Sequence, residues 1–150
     1  YMRLEKLADL RGRLLGLVGA DAEAFGPLAA AYRMPKDTPE QLAAKQAAIQ
    51  DALVGATEVP LDIMRTAAAC VEHADFLARS GSRMARSDAG VSVAFARAAV
   101  DGASLNVYIN AASIDDAERA ARYRDEADRL VAQTREHCDE VFAFVKDAVS

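Results

Sequence analysis

Residues 87–112 read SDAGVSVAFARAAVDGASLNVYINAA, and this stretch decides the fold. Alanine, glycine and serine occupy almost every side of a helix drawn through it, and no proline interrupts it. Alanine is the best helix former, and a helix without a wide polar face is usually buried. The stretch therefore predicts a long buried central helix, capped at Ser87 with Asp88 in its first turn.

Amphipathic helices are predicted on both sides of this stretch. Thr38-Pro39-Glu40-Gln41 combines a capping threonine, proline at the first helical position and glutamine three residues after the cap, which is typical of a helix start. Glycine and capping residues predict the other helix limits, at Gly19, Gly81, Ser113 and Asp116, and Pro60 marks either a new helix start or a kink. No strand pattern, repeat or linker is present. The sequence predicts one all-α domain over residues 1–150, a bundle of five to six helices.

Charge and composition exclude several classes of function. The 150 residues carry 18 Lys+Arg against 23 Asp+Glu, and the basic residues are interspersed with acidic ones, so we expect no nucleic-acid partner. Cys70 and Cys138 lack metal or redox spacing, and His73 and His137 have no carboxylate or cysteine at ligand spacing, so we expect no metal site. Neither an uninterrupted apolar run of about 18 residues nor a signal peptide is seen, which predicts a cytoplasmic protein without membrane contact.

Two amide side chains mark the far end of the central stretch. Asn106 and Asn110 lie one helical turn apart on the same face. A buried polar group without a partner costs about 1–3 kcal/mol, so each amide must be satisfied. They form either an interhelical hydrogen-bond pair, at a dimer seam for example, or a polar platform for a ligand.

Charged residues near helix ends are the other candidates. Asp21 and Glu23, close to Phe25, are either a cap and a solvated charge, or one of them is a desolvated carboxylate that serves as a general base. Lys36, in a proline-containing loop, is either a surface lysine or an anchor for an anion. Ser87 and Asp88 either cap a helix or mark exposed amides that attract an anion.

Five short motifs occur in a fixed order along most of the chain. They are Asp21-Ala22-Glu23-Ala24-Phe25, Tyr32-Arg33-Met34-Pro35-Lys36-Asp37-Thr38, Thr57-Glu58-Val59-Pro60-Leu61, Ser87-Asp88-Ala89-Gly90-Val91 and Leu105-Asn106-Val107-Tyr108-Ile109-Asn110. In this order and spacing they resemble the cyclodeaminase / methenyltetrahydrofolate cyclohydrolase family, which includes the C-terminal domain of formiminotransferase-cyclodeaminase and stand-alone bacterial cyclohydrolases.

The resemblance implies an all-helical, homodimeric, cytoplasmic enzyme that acts on a tetrahydrofolate-borne one-carbon group. Such an enzyme either hydrolyses 5,10-methenyltetrahydrofolate to 10-formyltetrahydrofolate or cyclises 5-formiminotetrahydrofolate with release of ammonia. Neither a metal nor a cofactor beyond the tetrahydrofolate substrate is implied. Both reactions pass through a tetrahedral carbon, which calls for a carboxylate to stabilise a cation and move a proton.

The resemblance also assigns roles to particular residues. Asp21 would be the catalytic base or cation stabiliser, and Lys36 would meet the glutamate tail of the folate. The remaining substrate-binding positions are Ser87, Asp88, Asn106 and Asn110.

A second interpretation is a catalytically inactive helical module that dimerises or binds a folate-like ligand. Members of the family begin with a helix pair carrying a proline and three glycines, ahead of the tyrosine that Tyr1 resembles. We expect this chain to begin after that pair, which would leave the pocket without one wall.

Overall fold

The described residues form a bundle of four helices. The computed structural model describes residues 2–150, with side chains from Glu5 onward, so the match of Tyr1 to a family tyrosine lies outside the described residues. The helices are α1 (Met2–Tyr32), α2 (Pro39–Ser80), α3 (Arg83–Ala111) and α4 (Ala117–Val149). Within residues 2–150 there is no strand, and the all-α prediction is confirmed.

The predicted count of five to six helices is wrong because two expected breaks are absent. α1 continues through Gly19, and α2 continues through Pro60. A glycine inside a helix costs only about 1 kcal/mol relative to alanine, which packing of a long helix easily offsets. Pro60 removes one backbone hydrogen bond, and another part of the chain replaces it, as described below.

Side-chain caps define most of the helix ends. Thr38 accepts a hydrogen bond from the Gln41 amide at 3.2 Å, which confirms the predicted start of α2. Asp116 caps α4 as predicted. The predicted cap at Ser87 is wrong, because Ser82 caps α3 by accepting from the Ala85 amide. Ser87 therefore lies inside the helix, where its backbone amide belongs to the helical ladder rather than to an anion site.

The central helix is α2 rather than α3. α2 contacts each of the other three helices, while α1 packs only on α2 among the described elements. α3 buries one face, with Val93, Val100 and Val107 fully enclosed between α2 and α4, and leaves the opposite face exposed. The helix formed by the 87–112 stretch is therefore buried on one face only, although small residues occupy most of its sides.

Two side chains from α2 hold the neighbouring loops. The Lys45 ammonium donates to the carbonyls of Tyr32 at 2.7 Å and Met34 at 3.0 Å, which satisfies the C-terminal end of α1. The Gln50 amide donates to the Ser113 carbonyl at 3.0 Å and accepts from the Asp115 amide at 2.8 Å. These bonds fix where α1 and α3 end relative to α2.

α1 is the least buried of the helices. Leu28 and Ala31 are its buried hydrophobic residues among those described. By length and composition the segment Glu5–Tyr32 is apolar enough to cross a membrane, and it is the one such helix in the described part of the chain. A helix that packs against protein passes the same test, so composition alone does not distinguish the two.

Candidate functional site

A cleft runs between α1 and α3, because both helices pack on α2 rather than on each other. One end of the cleft forms a cavity of about 560 Å³. Its walls are largely apolar, with three polar side chains facing each other across the cleft. The lining residues are Asp21, Ala22, Ala24, Phe25, Leu28, Ala56, Asn106, Ile109 and Asn110.

Asp21 stands beside the partly buried side of α1. Leu14, Leu17, Ala20, Ala24 and Leu28 recur at intervals of three or four residues and are partly or fully buried, whereas Asp21, next to Ala20, is exposed. Asp21 lies one turn before Phe25, and both side chains line the cavity. Asp21 is exposed at the mouth of the cavity, and no cation among the described side chains forms an ion pair with it.

The two asparagines line the opposite wall and differ in their partners. The Asn110 side-chain amide donates to the Ala56 carbonyl of α2 at 2.8 Å and is partly buried. Asn106 is exposed and lines the cavity one turn earlier. Asn110 therefore forms an interhelical hydrogen bond, and it also lines a cavity that could hold a ligand. The structural and the ligand-binding interpretation of this residue do not exclude each other.

Three of the predicted binding residues lie elsewhere. Lys36 is exposed in the loop after α1, and Ser87 is exposed on α3; neither is among the described residues that line this cavity. Asp88 lines a second cavity of about 550 Å³ between the first half of α1 and α3. The structure thus brings together Asp21, Asn106 and Asn110, and it separates them from the other three.

The second cavity is mainly apolar. Leu7 and Leu14 of α1, Cys70 of α2 and Phe95 of α3 contribute to its walls, and Arg11 and Asp88 lie at its edge. Burial raises the pKa of the Cys70 thiol, which keeps it protonated and unreactive at neutral pH. This cavity offers apolar contact area rather than reactive groups.

Ala56 is the residue of the site that sequence reasoning did not identify. It contributes its backbone carbonyl. Every residue type has this group, so the sequence does not distinguish Ala56 from its neighbours. The available signal was Pro60, since a proline inside a helix leaves the carbonyl four residues earlier without its usual donor.

The exposed face of α3 borders the site and forms an apolar stripe. Its large side chains are between 53% and 78% exposed: Met84, Val91, Phe95, Leu105 and Ile109. Ala98 and Gly102 continue the series with small residues, so from Val91 to Ile109 the set follows the spacing of three and four residues that characterises a coiled-coil seam, with Met84 seven residues before Val91. Ile109 belongs both to this stripe and to the cavity wall.

Comparison with known proteins gives matches along most of the chain. The family described as formiminotransferase-cyclodeaminase matches residues 2–129. The methenyltetrahydrofolate cyclohydrolase of Methylorubrum extorquens is 39% identical over 147 residues, which span 98% of this chain and 71% of that protein. The formimidoyltransferase-cyclodeaminase of Sus scrofa is 35% identical over 123 residues, 82% of this chain and 23% of that protein.

A solved structure has the same arrangement of helices. The crystal structure of formiminotetrahydrofolate cyclodeaminase from Thermotoga maritima superposes with a TM-score of 0.71 over 97% of this chain and 66% of that one. The sequence identity of 23% makes this a likeness of fold.

Proposed function

This chain belongs to the formiminotransferase-cyclodeaminase family, and from that premise we propose that it hydrolyses 5,10-methenyltetrahydrofolate to 10-formyltetrahydrofolate. The observation that carries the proposal is the cavity in which Asp21 faces Asn106 and Asn110 across the α1–α3 cleft. The relative from Methylorubrum extorquens, which bears the name of this activity and aligns with almost the whole chain, supports the direction of hydrolysis.

The reaction begins with water adding to the cationic carbon between N5 and N10 of the substrate. Asp21 stabilises the positive charge and accepts the proton that the attacking water loses, so that a neutral tetrahedral carbon forms. The bond from this carbon to N5 then breaks while the new hydroxyl group loses its proton and becomes the formyl carbonyl. N5 takes up a proton, and N10 keeps the formyl group. One proton is released overall. The substrate carries its own activating charge, so the chemistry needs no metal or further cofactor.

The neutral amides suit the other task of the site, which is to hold the ligand. Asn106 and Asn110 offer hydrogen bonds without adding charge. A second carboxylate there would compete with Asp21 for the cationic carbon, and a lysine would pair with Asp21 and repel that carbon. Phe25, Leu28 and Ile109 supply apolar surface for an aromatic ring system.

The second candidate reaction is the cyclisation of 5-formiminotetrahydrofolate. In this reaction N10 attacks the formimino carbon and ammonia leaves, through a tetrahedral carbon in the same position. The relative from Sus scrofa and the structure from Thermotoga maritima, both named as cyclodeaminases, favour keeping this candidate. The same carboxylate and amides would serve both reactions.

We also propose that the protein works as a homodimer joined through the exposed stripe of α3. A two-fold axis across this helix pairs two copies of the same surface in antiparallel orientation. With the axis level with residues 98 and 99, Phe95 of one copy would face Gly102 of the other. Gly102 lies inside an exposed helix, and a Cβ there would meet no described atom within 4 Å, so the isolated chain has no need of glycine at this position.

The decisive experiment follows the methenyltetrahydrofolate chromophore. Purified protein should deplete it in the hydrolysis assay, or generate it from 5-formiminotetrahydrofolate in the cyclisation assay. If neither reaction is accelerated, the enzyme proposal fails, and an inactive module that dimerises or binds a folate-like ligand takes its place.

A further inference from the structure

Pro60 lies inside α2, and the carbonyl four residues earlier belongs to Ala56. Proline has no amide hydrogen, so it cannot donate to that carbonyl as any other residue at position 60 would. The Asn110 side chain of α3 donates to the same oxygen at 2.8 Å. A proline in one helix is thus matched by an asparagine in the next, and the asparagine lines the cavity.

This hydrogen bond decides which way the Asn110 amide faces. A backbone carbonyl can only accept, so the atom of Asn110 that contacts it must be Nδ2. The Oδ1 atom is the remaining polar atom of this side chain, and no described group donates a hydrogen bond to it. Asn110 therefore offers an acceptor to a ligand in the cavity, and it would offer a donor if its amide were reversed.

We propose that Pro60 is a positioning residue that acts through the Ala56 carbonyl to hold Asn110 with its acceptor towards the substrate. The inference rests on the proposed function, since it assumes that the cavity binds a tetrahydrofolate. A fixed acceptor selects N–H donors of the ligand, and the edge of a reduced pteridine ring carries such donors. Pro60 is buried, which keeps the arrangement away from bulk water.

A double-mutant cycle on ligand binding tests the proposal. The measured quantity is the dissociation constant for 5-formyltetrahydrofolate, a probe that the reaction does not consume, with wild type, Pro60→Ala, Asn110→Ala and the double variant. Pro60→Ala supplies an amide hydrogen that competes for the Ala56 carbonyl and releases Asn110. We expect it to weaken binding about three- to tenfold, the range for one neutral hydrogen bond. In the Asn110→Ala background the same change should have no further effect; additive effects overturn the proposal.

Pro27→Ala is the matched control, because Pro27 is also a proline inside a helix but lines a different cavity, between α1 and α2. Its effect should add to that of Asn110→Ala. Asn110→Asp is a second test that does not change α2: a carboxylate keeps acceptor oxygens but cannot donate to the Ala56 carbonyl. Binding as tight as in the wild type would overturn the proposal.

Two further readouts separate this proposal from the proposed function. In hydrogen-exchange NMR, the Asn110 side-chain amide should be protected in the wild type and should lose protection in Pro60→Ala, where the new backbone amide at position 60 becomes protected. Turnover of methenyltetrahydrofolate by the wild type is measured in parallel. A wild type that binds the probe but is inactive refutes the enzyme proposal alone, whereas an active wild type with additive variants refutes the positioning role alone.

Discussion

Arg65 and Glu126 form a two-point ion pair that joins α2 to α4. The guanidinium Nε lies 2.7 Å from Oε1 of Glu126, and Nη2 lies 2.8 Å from Oε2. The Arg65 Nη1 also donates to Asp62 at 3.2 Å, and Arg13 of α1 reaches the same carboxylate at 3.3 Å. Charged groups thus connect three helices on one side of the bundle, and their pH response can be measured.

The hydrogen bond from Arg65 lowers the pKa of Glu126 below its ordinary value of 4.5. The folded state therefore favours the ionised carboxylate, and this contribution to stability is present above pH 4.5 and is lost as the pH falls below it. We expect Glu126→Gln to cost about 1 kcal/mol at neutral pH and almost nothing in strong acid. Chemical unfolding at both pH values measures this difference.

Glu118→Gln is the control for this experiment. Glu118 also accepts a hydrogen bond from an arginine, Arg122, at 2.8 Å, but its side chain is 86% exposed. Solvent screens such a pair, so its loss should change stability little at either pH. Equal effects of the two variants would contradict the role assigned to the α2–α4 pair.

Asp21→Asn should remove most of the activity and leave the fold intact. Loss of a general acid–base group costs about 10²–10⁴-fold in rate, and an exposed side chain contributes little to packing. The assay is the initial rate of chromophore change, with circular dichroism as a check on folding. Glu23→Gln is the matched control, since Glu23 is an exposed acid in the same helical turn that does not line the cavity. An active Asp21→Asn variant would refute the assignment of Asp21.

Leu105→Glu should convert the proposed dimer to a monomer. Leu105 is 67% exposed in the stripe of α3, and a dimer would bury two new carboxylates there without partners. Sedimentation velocity at micromolar concentration measures the change. Leu42→Glu, at a position 42% exposed on α2, should remain dimeric. If both variants and the wild type sediment as monomers, the dimer proposal is wrong.

Alanine at two glycines should have opposite effects on stability. A Cβ at Gly90 would lie 2.8 Å from Cγ1 of Val145, so the Val145 side chain or the two helices would have to shift, at a cost of about 1–3 kcal/mol. A Cβ at Gly55 would meet no described atom within 4 Å, and Gly55→Ala should stabilise α2 by about 0.5–1 kcal/mol. Thermal unfolding gives both values, and a neutral Gly90→Ala would show that the helices are not in close contact there.

Helix limits could be predicted from the sequence where the side chain of a single residue is enough to cap the helix. Thr38 and Asp116 carry side-chain oxygens that satisfy the amides of the turn that follows, so their caps need no tertiary information. The cap at Ser87 failed because Ser82 competes with it, and both have the same hydroxyl. Only the fit of α3 against α2 and α4 chooses between them.

For the candidate site too, the sequence identified some features, and the packing of the helices decided the others. Composition and periodicity determined by themselves that the chain is helical, and the motifs identified Asp21, Asn106 and Asn110. Their meeting in one cavity, and the separation of Lys36, Ser87 and Asp88 from it, depend on how α1 and α3 lie across α2. Helical spacing relates residues within one helix, but it says nothing about the crossing of two helices.

Pro60 illustrates why a sequence alone could not decide the number of helices. By itself the chain determines that residue 60 cannot donate a hydrogen bond, and the local expectation is a break or a kink. In the folded protein a donor from elsewhere replaces the missing one: Asn110, 50 residues later in the chain, lies 2.8 Å from the Ala56 carbonyl. Local chemistry thus determined the missing hydrogen bond, and only the tertiary structure decided that an amide from α3 would replace it, because that requires two distant segments to pack side by side.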